Sequence, residues 1–135
     1  MLNQKFWAKY FKVYDILNIV IPYQELLYEL ERELDLNSND VVLDVGSGTG
    51  NLMFKIKGKC KKIIGLDFSE EGIKIHKLKD PQAEVLFCDI TQKIPFSDGY
   101  FSKIVSNNVI YTLNDIDQKK GAEIFDKLKS QLPAE

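Results

Sequence analysis

Two cysteines in 135 residues, Cys60 and Cys88, are too few for a disulfide framework, and neither falls in a CxxC pattern that would hold a metal or cycle its oxidation state. Reduced thiols and a cytoplasmic location are therefore expected. Histidine is scarcer still. The single His76 lies late in a lysine-rich segment with no ligand partners nearby, which argues against a metal site and predicts a surface position. No stretch approaches the roughly 18 apolar residues that span a bilayer, and the start of the chain lacks the apolar core and small-residue cleavage site of a secretory signal. An excess of one charge is missing as well. With 18 basic and 20 acidic residues the net charge is −2, so no global field recruits nucleic acid or an anionic membrane, and neither is expected as a partner. The one basic concentration, Lys55, Lys57, Lys59, Lys61 and Lys62, reads as a solvated helix end.

What is present is an ordinary supply of core: 44% hydrophobic residues, with no internal repeat, consistent with one domain over residues 1–135. Residues 4–19 carry Trp7, Tyr10, Phe11 and Tyr14 at helical spacing, an aromatic face that suits packing or a cover for a cation. Pro22 suits the first turn of a second helix with a Leu26, Leu27, Leu30, Leu34 stripe, and Asn37-Ser38-Asn39-Asp40 closes this helical prelude over residues 1–39. From there the pattern alternates: strand 41–46, helix 50–57, strand 62–67, helix 70–78, strand 84–88, then strand 102–106 after the Asp98-Gly99 turn. A last helix presents Ala122, Phe125, Leu128 and Leu132. Strands alternating with helices predict an α/β fold with a parallel sheet over residues 40–135.

The run Val41-Val42-Leu43-Asp44-Val45-Gly46-Ser47-Gly48-Thr49-Gly50 is a buried strand that feeds a glycine turn. Open α/β sheets bind cofactors at such turns. The dinucleotide fingerprint GxGxxG needs glycine at position 51, where this chain has asparagine. With Leu66-Asp67-Phe68 and Cys88-Asp89-Ile90 at the ends of the next two strands, the string resembles the class I S-adenosylmethionine-dependent methyltransferases. The resemblance implies a Rossmann-like sheet in the order 3-2-1-4. It covers nearly all of this sequence but only the first half to two thirds of a complete family domain, since a fifth strand and an antiparallel pair would follow Glu135. The chain is then either a fragment or a natural short form. In both cases the fourth strand is left at an open edge over 102–107, which a second copy, a partner chain or a displaced helix would cover.

The same resemblance implies a cofactor, S-adenosylmethionine, with S-adenosylhomocysteine as product, and assigns its contacts. Gly46, Ser47, Gly48 and Gly50 form the turn against the ribose and methionine portions, and Asp44 supports the methionine amino group. Asp67, one crossover later, accepts from both ribose hydroxyls; Asp67→Ala is expected to weaken binding more than tenfold and to leave unfolding of the cofactor-free protein nearly unchanged. Ser69 is better placed as the helix cap. Asp89 meets the adenine amino group, Ile90 covers the ring, Phe68 packs on its other face, and Asn107 offers a carbonyl to the methionine amine. The segment Ile94 to Phe101 is similar to the small-molecule branch, so a small-molecule acceptor is expected; that branch has aspartate where Ser102 stands and histidine where Tyr111 or Thr112 stands. No catalytic base is named, because the sulfonium leaving group needs no acid and alignment alone supplies roughly 7 to 11 kcal/mol. A cofactor-binding but inactive module, or half of a split enzyme, is the other reading that the residues allow.

Overall fold

The computed structural model describes residues 3–107, 109 and 118–134. Helix α1 (Gln4–Tyr14) is capped by the Asn3 side chain, which accepts from the Phe6 N–H. The expected helix over 4–19 then tightens into a 3-10 turn, Asp15–Ile19. The reason lies in its polar side chains: Asp15 and Asn18 bond outside the helix, to Thr49 and Asn51. Helix α2 (Ile21–Leu34) starts with Pro22 in its first turn and ends on Asp35 in a left-handed conformation.

Four strands follow, β1 (Val41–Val45), β2 (Lys62–Asp67), β3 (Glu84–Phe87) and β4 (Lys103–Ser106), separated by α3 (Asn51–Ile56) and α4 (Glu70–Lys79) and followed by α5 (Gln118–Ser130). All pair in parallel in the order β3-β2-β1-β4, as expected. Parallel sheets bury both faces. On one, Leu43, Val45, Ile64 and Leu66 pack with Phe101, Ile124 and Leu128; on the other, Val42 and Val105 pack with Leu27, Leu52 and Ile56. Strand β1 is central, and Asp44 sits in its buried run.

Two expectations need correction. His76 is buried rather than at the surface. Helix α5 turns Ile124 and Leu128 inward, where they pack with Phe101 in the core, and leaves Phe125 exposed on a face rotated from the one expected. The lysine run is exposed at Lys57, Lys59 and Lys61, as expected of a solvated helix end, and it also carries ion pairs: Lys55 and Lys59 with Glu31, Lys57 with Asp80 and Lys62 with Glu84. Ser102, where the family resemblance called for aspartate, bridges two strands at the opposite end of β1 from the glycine turn. Its Oγ accepts from the Val41 N–H and donates to Asp40.

Candidate functional site

The glycine turn folds back over the end of β2. The N–H groups of Gly46 and Ser47 both donate to the Leu66 carbonyl, at 2.7 and 3.0 Å. Asp67, the last residue of β2, then fastens the turn: its Oδ2 accepts from the Gly48 N–H at 2.7 Å and its Oδ1 from the Ser69 N–H at 2.8 Å. One carboxylate thereby holds the glycine turn and the entry to α4 together. Ser69 is the cap of α4, accepting from the Gly72 N–H. Burial raises the Asp67 carboxyl above its ordinary range, and the backbone bonds only partly offset this.

Asp44 lies beside it with a different environment. It is 2% exposed, and among the described residues none donates a hydrogen bond to it. Burial first, and the neighbouring Asp67 charge second, push its carboxyl up to about 7. Two acids thus share a buried corner at the mouth of the sheet with no cation paired to either among the described residues.

Two glycines are required by what presses on them. At Gly48 (φ +52°) a Cβ would stand 2.9 Å from Cε1 of Phe11, whose ring also lies 3.0 Å from where a Cβ on Gly72 would be. Helix α1 therefore covers the turn by seating one aromatic ring between two positions that lack side chains. At Gly50 (φ +84°) a Cβ would meet the His76 ring at 2.3 Å. That seat explains the burial of His76, and desolvation together with Lys79 keeps its imidazole below its ordinary pKa. Gly50→Ala combines left-handed strain with overpacking, about 3 kcal/mol in all. A fall in Tm of about 10 °C is expected, partly restored by adding His76→Ala, as a double-mutant cycle in thermal denaturation would show.

The cover is pinned at its far end. Thr49, fully buried within the turn, donates to Asp15 at 2.6 Å, and Lys79 reaches both Asp15 and Asn51, at 3.0 and 2.8 Å. Burial works to raise the Asp15 carboxyl, but bonds from Thr49, Lys79 and Asn51 outweigh it and hold it below the ordinary range.

With this geometry in view, likeness to known proteins becomes specific. Residues 42–131 match the family described as Methyltransferase domain. The chain belongs to that family. A release factor glutamine methyltransferase from Shewanella oneidensis is 33% identical over 112 residues, covering 78% of this chain and 38% of the relative. A probable cobalt-precorrin-6B C(15)-methyltransferase from Methanocaldococcus jannaschii is 26% identical over 96 residues, covering 65% of this chain and 51% of its own length. Among solved structures, a phosphoethanolamine N-methyltransferase from Haemonchus contortus in complex with phosphoethanolamine and S-adenosylhomocysteine superposes with a TM-score of 0.79 at 18% identity, covering 97% of this chain and 29% of that one. The chain spans about half the length of these curated relatives, or less.

Within this methyltransferase domain the remaining expected contacts are placed unevenly. Asp89 is half-buried and turns Oδ1 into its own loop, accepting from the Thr91 N–H and hydroxyl. Ile90 lies in the core cluster with Cys88 and Ile94. Phe68 is half-buried beside Phe87, their ring centres 6.4 Å apart. Asn107 follows β4 half-buried, next to Ser106, whose hydroxyl donates to the Val45 carbonyl. The Ser47 side chain points down at Gly65 and Met53 rather than outward, and its buried Oγ has no partner among the described residues. Tyr111 and Thr112 lie outside the described residues. Phe11, Asp15 and Thr49 join the site from positions that sequence reasoning did not assign to it. Phe11 belongs to the aromatic face that suited a cover, Thr49 lies inside the glycine string, and Asp15 alone carried no signal.

Proposed function

We propose that this domain binds S-adenosylmethionine across the ends of β1, β2 and β3 and transfers its methyl group to a small-molecule acceptor. The observation that carries the reading is Asp44. A buried carboxylate with no donor among the described residues, raised to about 7 beside a second acid, suits a ligand that brings positive charge. S-Adenosylmethionine has an ammonium and a sulfonium; a dinucleotide would bring a diphosphate into the same negative corner. In this reading Asp44 receives the ammonium, Asp67 keeps the turn in place and turns its remaining lone pairs to the ribose, and Asp89 and Ile90 border the adenine with Phe68. Gly46 and Gly48 let the backbone approach closely, while Ser47 contributes its backbone and Asn107 its carbonyl. The bound cofactor supplies an electrophilic methyl on a sulfur that leaves as a neutral thioether. What the chain must add is alignment and exclusion of water, and the α1 cover over Gly48 fits that task.

The acceptors named among relatives include a release factor glutamine and a precorrin, and other relatives are RNA methyltransferases. The small-molecule assignment rests on the Ile94 to Phe101 segment, and on the same ground no nucleic-acid partner is proposed. Two free thiols suit the reducing cytoplasm proposed as its location. No helix among the described residues is long and apolar enough to cross a membrane.

Calorimetry against pH tests the cofactor reading. An ammonium beside Asp44 lowers its pKa, so binding below pH 7 releases a proton, and affinity should rise about tenfold per unit from pH 5 to near 7 before levelling. An affinity that stays flat from pH 5 to 8, without proton release, would overturn it. Because the chain spans half or less of its relatives, a module that binds without turnover, or one that needs a second chain against the 102–107 edge, is the alternative. Binding without methyl release across an acceptor panel would favour that alternative, and a dimeric solution mass with slow amide exchange along β4 would identify the covered edge.

A further inference from the structure

The 3-10 turn and the ends of α1 and α2 that flank it are apolar on the outside. Val13 is 63% exposed, Ile16 64%, Ile19 80% and Ile21 71%, with Val20 between them also exposed. This is not a face that lost its core. The inward side of the same turn is fully engaged, through Asp15 to Thr49 and Lys79, Asn18 to Asn51, and Gln24 to the Asn18 carbonyl. A turn anchored on one side presents four β-branched aliphatic positions to solvent within six residues.

The charges along α1, which leads to the tip, have one sign. Lys5, Lys9 and Lys12 are exposed along α1, and none meets a carboxylate among the described residues. Asp15, the one acid among the first 22 residues, is turned inward, and the acids of α2 begin only at Glu25. The net charge of the chain gave no reason to expect a membrane, but these lysines set basic charge beside the apolar tip. They stand apart from the run at Lys55 to Lys62 that pairs with Glu31, Asp80 and Glu84. Phe6 and Tyr10 add exposed aromatic edges on the same helix. Aliphatic side chains at a tip, lysines behind them and aromatics at the boundary are the arrangement of elements that lie in a membrane interface. A two-fold contact between copies would instead set lysines against lysines.

We infer that this tip docks on an anionic lipid surface, inserting Ile16, Ile19 and Ile21 among the headgroups while Lys5, Lys9 and Lys12 meet lipid phosphates. The contact is peripheral and spans nothing. It places the helix that covers the glycine turn at the membrane, so an acceptor taken from lipid would arrive on the covered side. The docking itself does not depend on the cofactor reading.

Co-sedimentation of the whole chain with vesicles tests it. Binding to equimolar phosphatidylcholine and phosphatidylglycerol is expected in 50 mM salt, falling at least tenfold in 500 mM salt and on phosphatidylcholine alone. Ile16→Asp combined with Ile19→Asp should abolish binding while circular dichroism and S-adenosylmethionine affinity stay unchanged. Neutralising each lysine, as in Lys9→Gln, should weaken partitioning about fivefold. No binding to the anionic vesicles at low salt overturns the inference, as does undiminished binding of the double variant. A dimer that the double variant converts to monomer, without any vesicle binding, would make the tip a contact between copies and overturn it equally.

Discussion

Asp44→Asn is expected to make the cofactor-free protein more stable and a poorer binder. The carboxyl stands near 7 in the fold against an ordinary 3.8, so the folded state holds a proton that the unfolded chain has lost. By linkage this group's contribution to stability falls as pH rises from about 4 to about 7 and is constant above. At pH 8 the whole penalty is present, on the order of 4 kcal/mol. Replacing the acid with an amide of the same shape removes it, raising Tm by about 14 °C at pH 8. The gain shrinks as the pH falls and vanishes below the ordinary carboxyl range. S-Adenosylmethionine, deprived of its counter-charge, should bind at least thirtyfold more weakly and lose its pH dependence between 5 and 7. Thermal denaturation at pH 4 and 8, paired with calorimetry, checks both halves. An unchanged Tm at pH 8 would mean that Asp44 is already neutralised in the free protein.

Asp67→Ala moves stability the other way. The sequence alone suggested a residue that serves the ligand and not the fold, but the structure corrects this: both carboxylate oxygens accept from backbone N–H groups, at Gly48 and at Ser69. Removing them leaves buried donors unpaired at about 1–3 kcal/mol each, partly offset by the relief of a desolvated charge. A net loss of about 2 kcal/mol, or about 7 °C in Tm, is expected together with a more than tenfold loss of cofactor affinity. Adjacent acids of one site should therefore give variants with opposite stability and the same binding defect. Urea denaturation and calorimetry on both would separate them.

The sheet was legible because its signal is local. Each strand has a short apolar run, the first three ended by or close to a glycine or an acid, and a one-residue error at either end leaves the order β3-β2-β1-β4 intact. The acids Asp44, Asp67 and Asp89 were legible for the same reason, each ending or nearly ending a strand that the sheet aligns. What stayed hidden depends on contacts distant in sequence. His76 looked like a surface residue until Gly50, 26 positions earlier, left a space its ring fills. Asp15 is an unremarked acid in a helix until Thr49 and Lys79 meet it. The periodicity of α5 pointed to Phe125, yet it is Ile124, with Leu128, that packs on Phe101 from across the sheet face.

The seat of Phe11 between Gly48 and Gly72 has a spectroscopic consequence. Trp7, the only tryptophan in the chain, stacks on Phe11 one turn away, with ring centres 5.6 Å apart. The indole emission of this protein therefore originates from the helix that covers its glycine turn, one ring removed from Gly48. Entry and departure of a ligand at the proposed site, and the speed of each, would be written into a signal the chain carries without any added label.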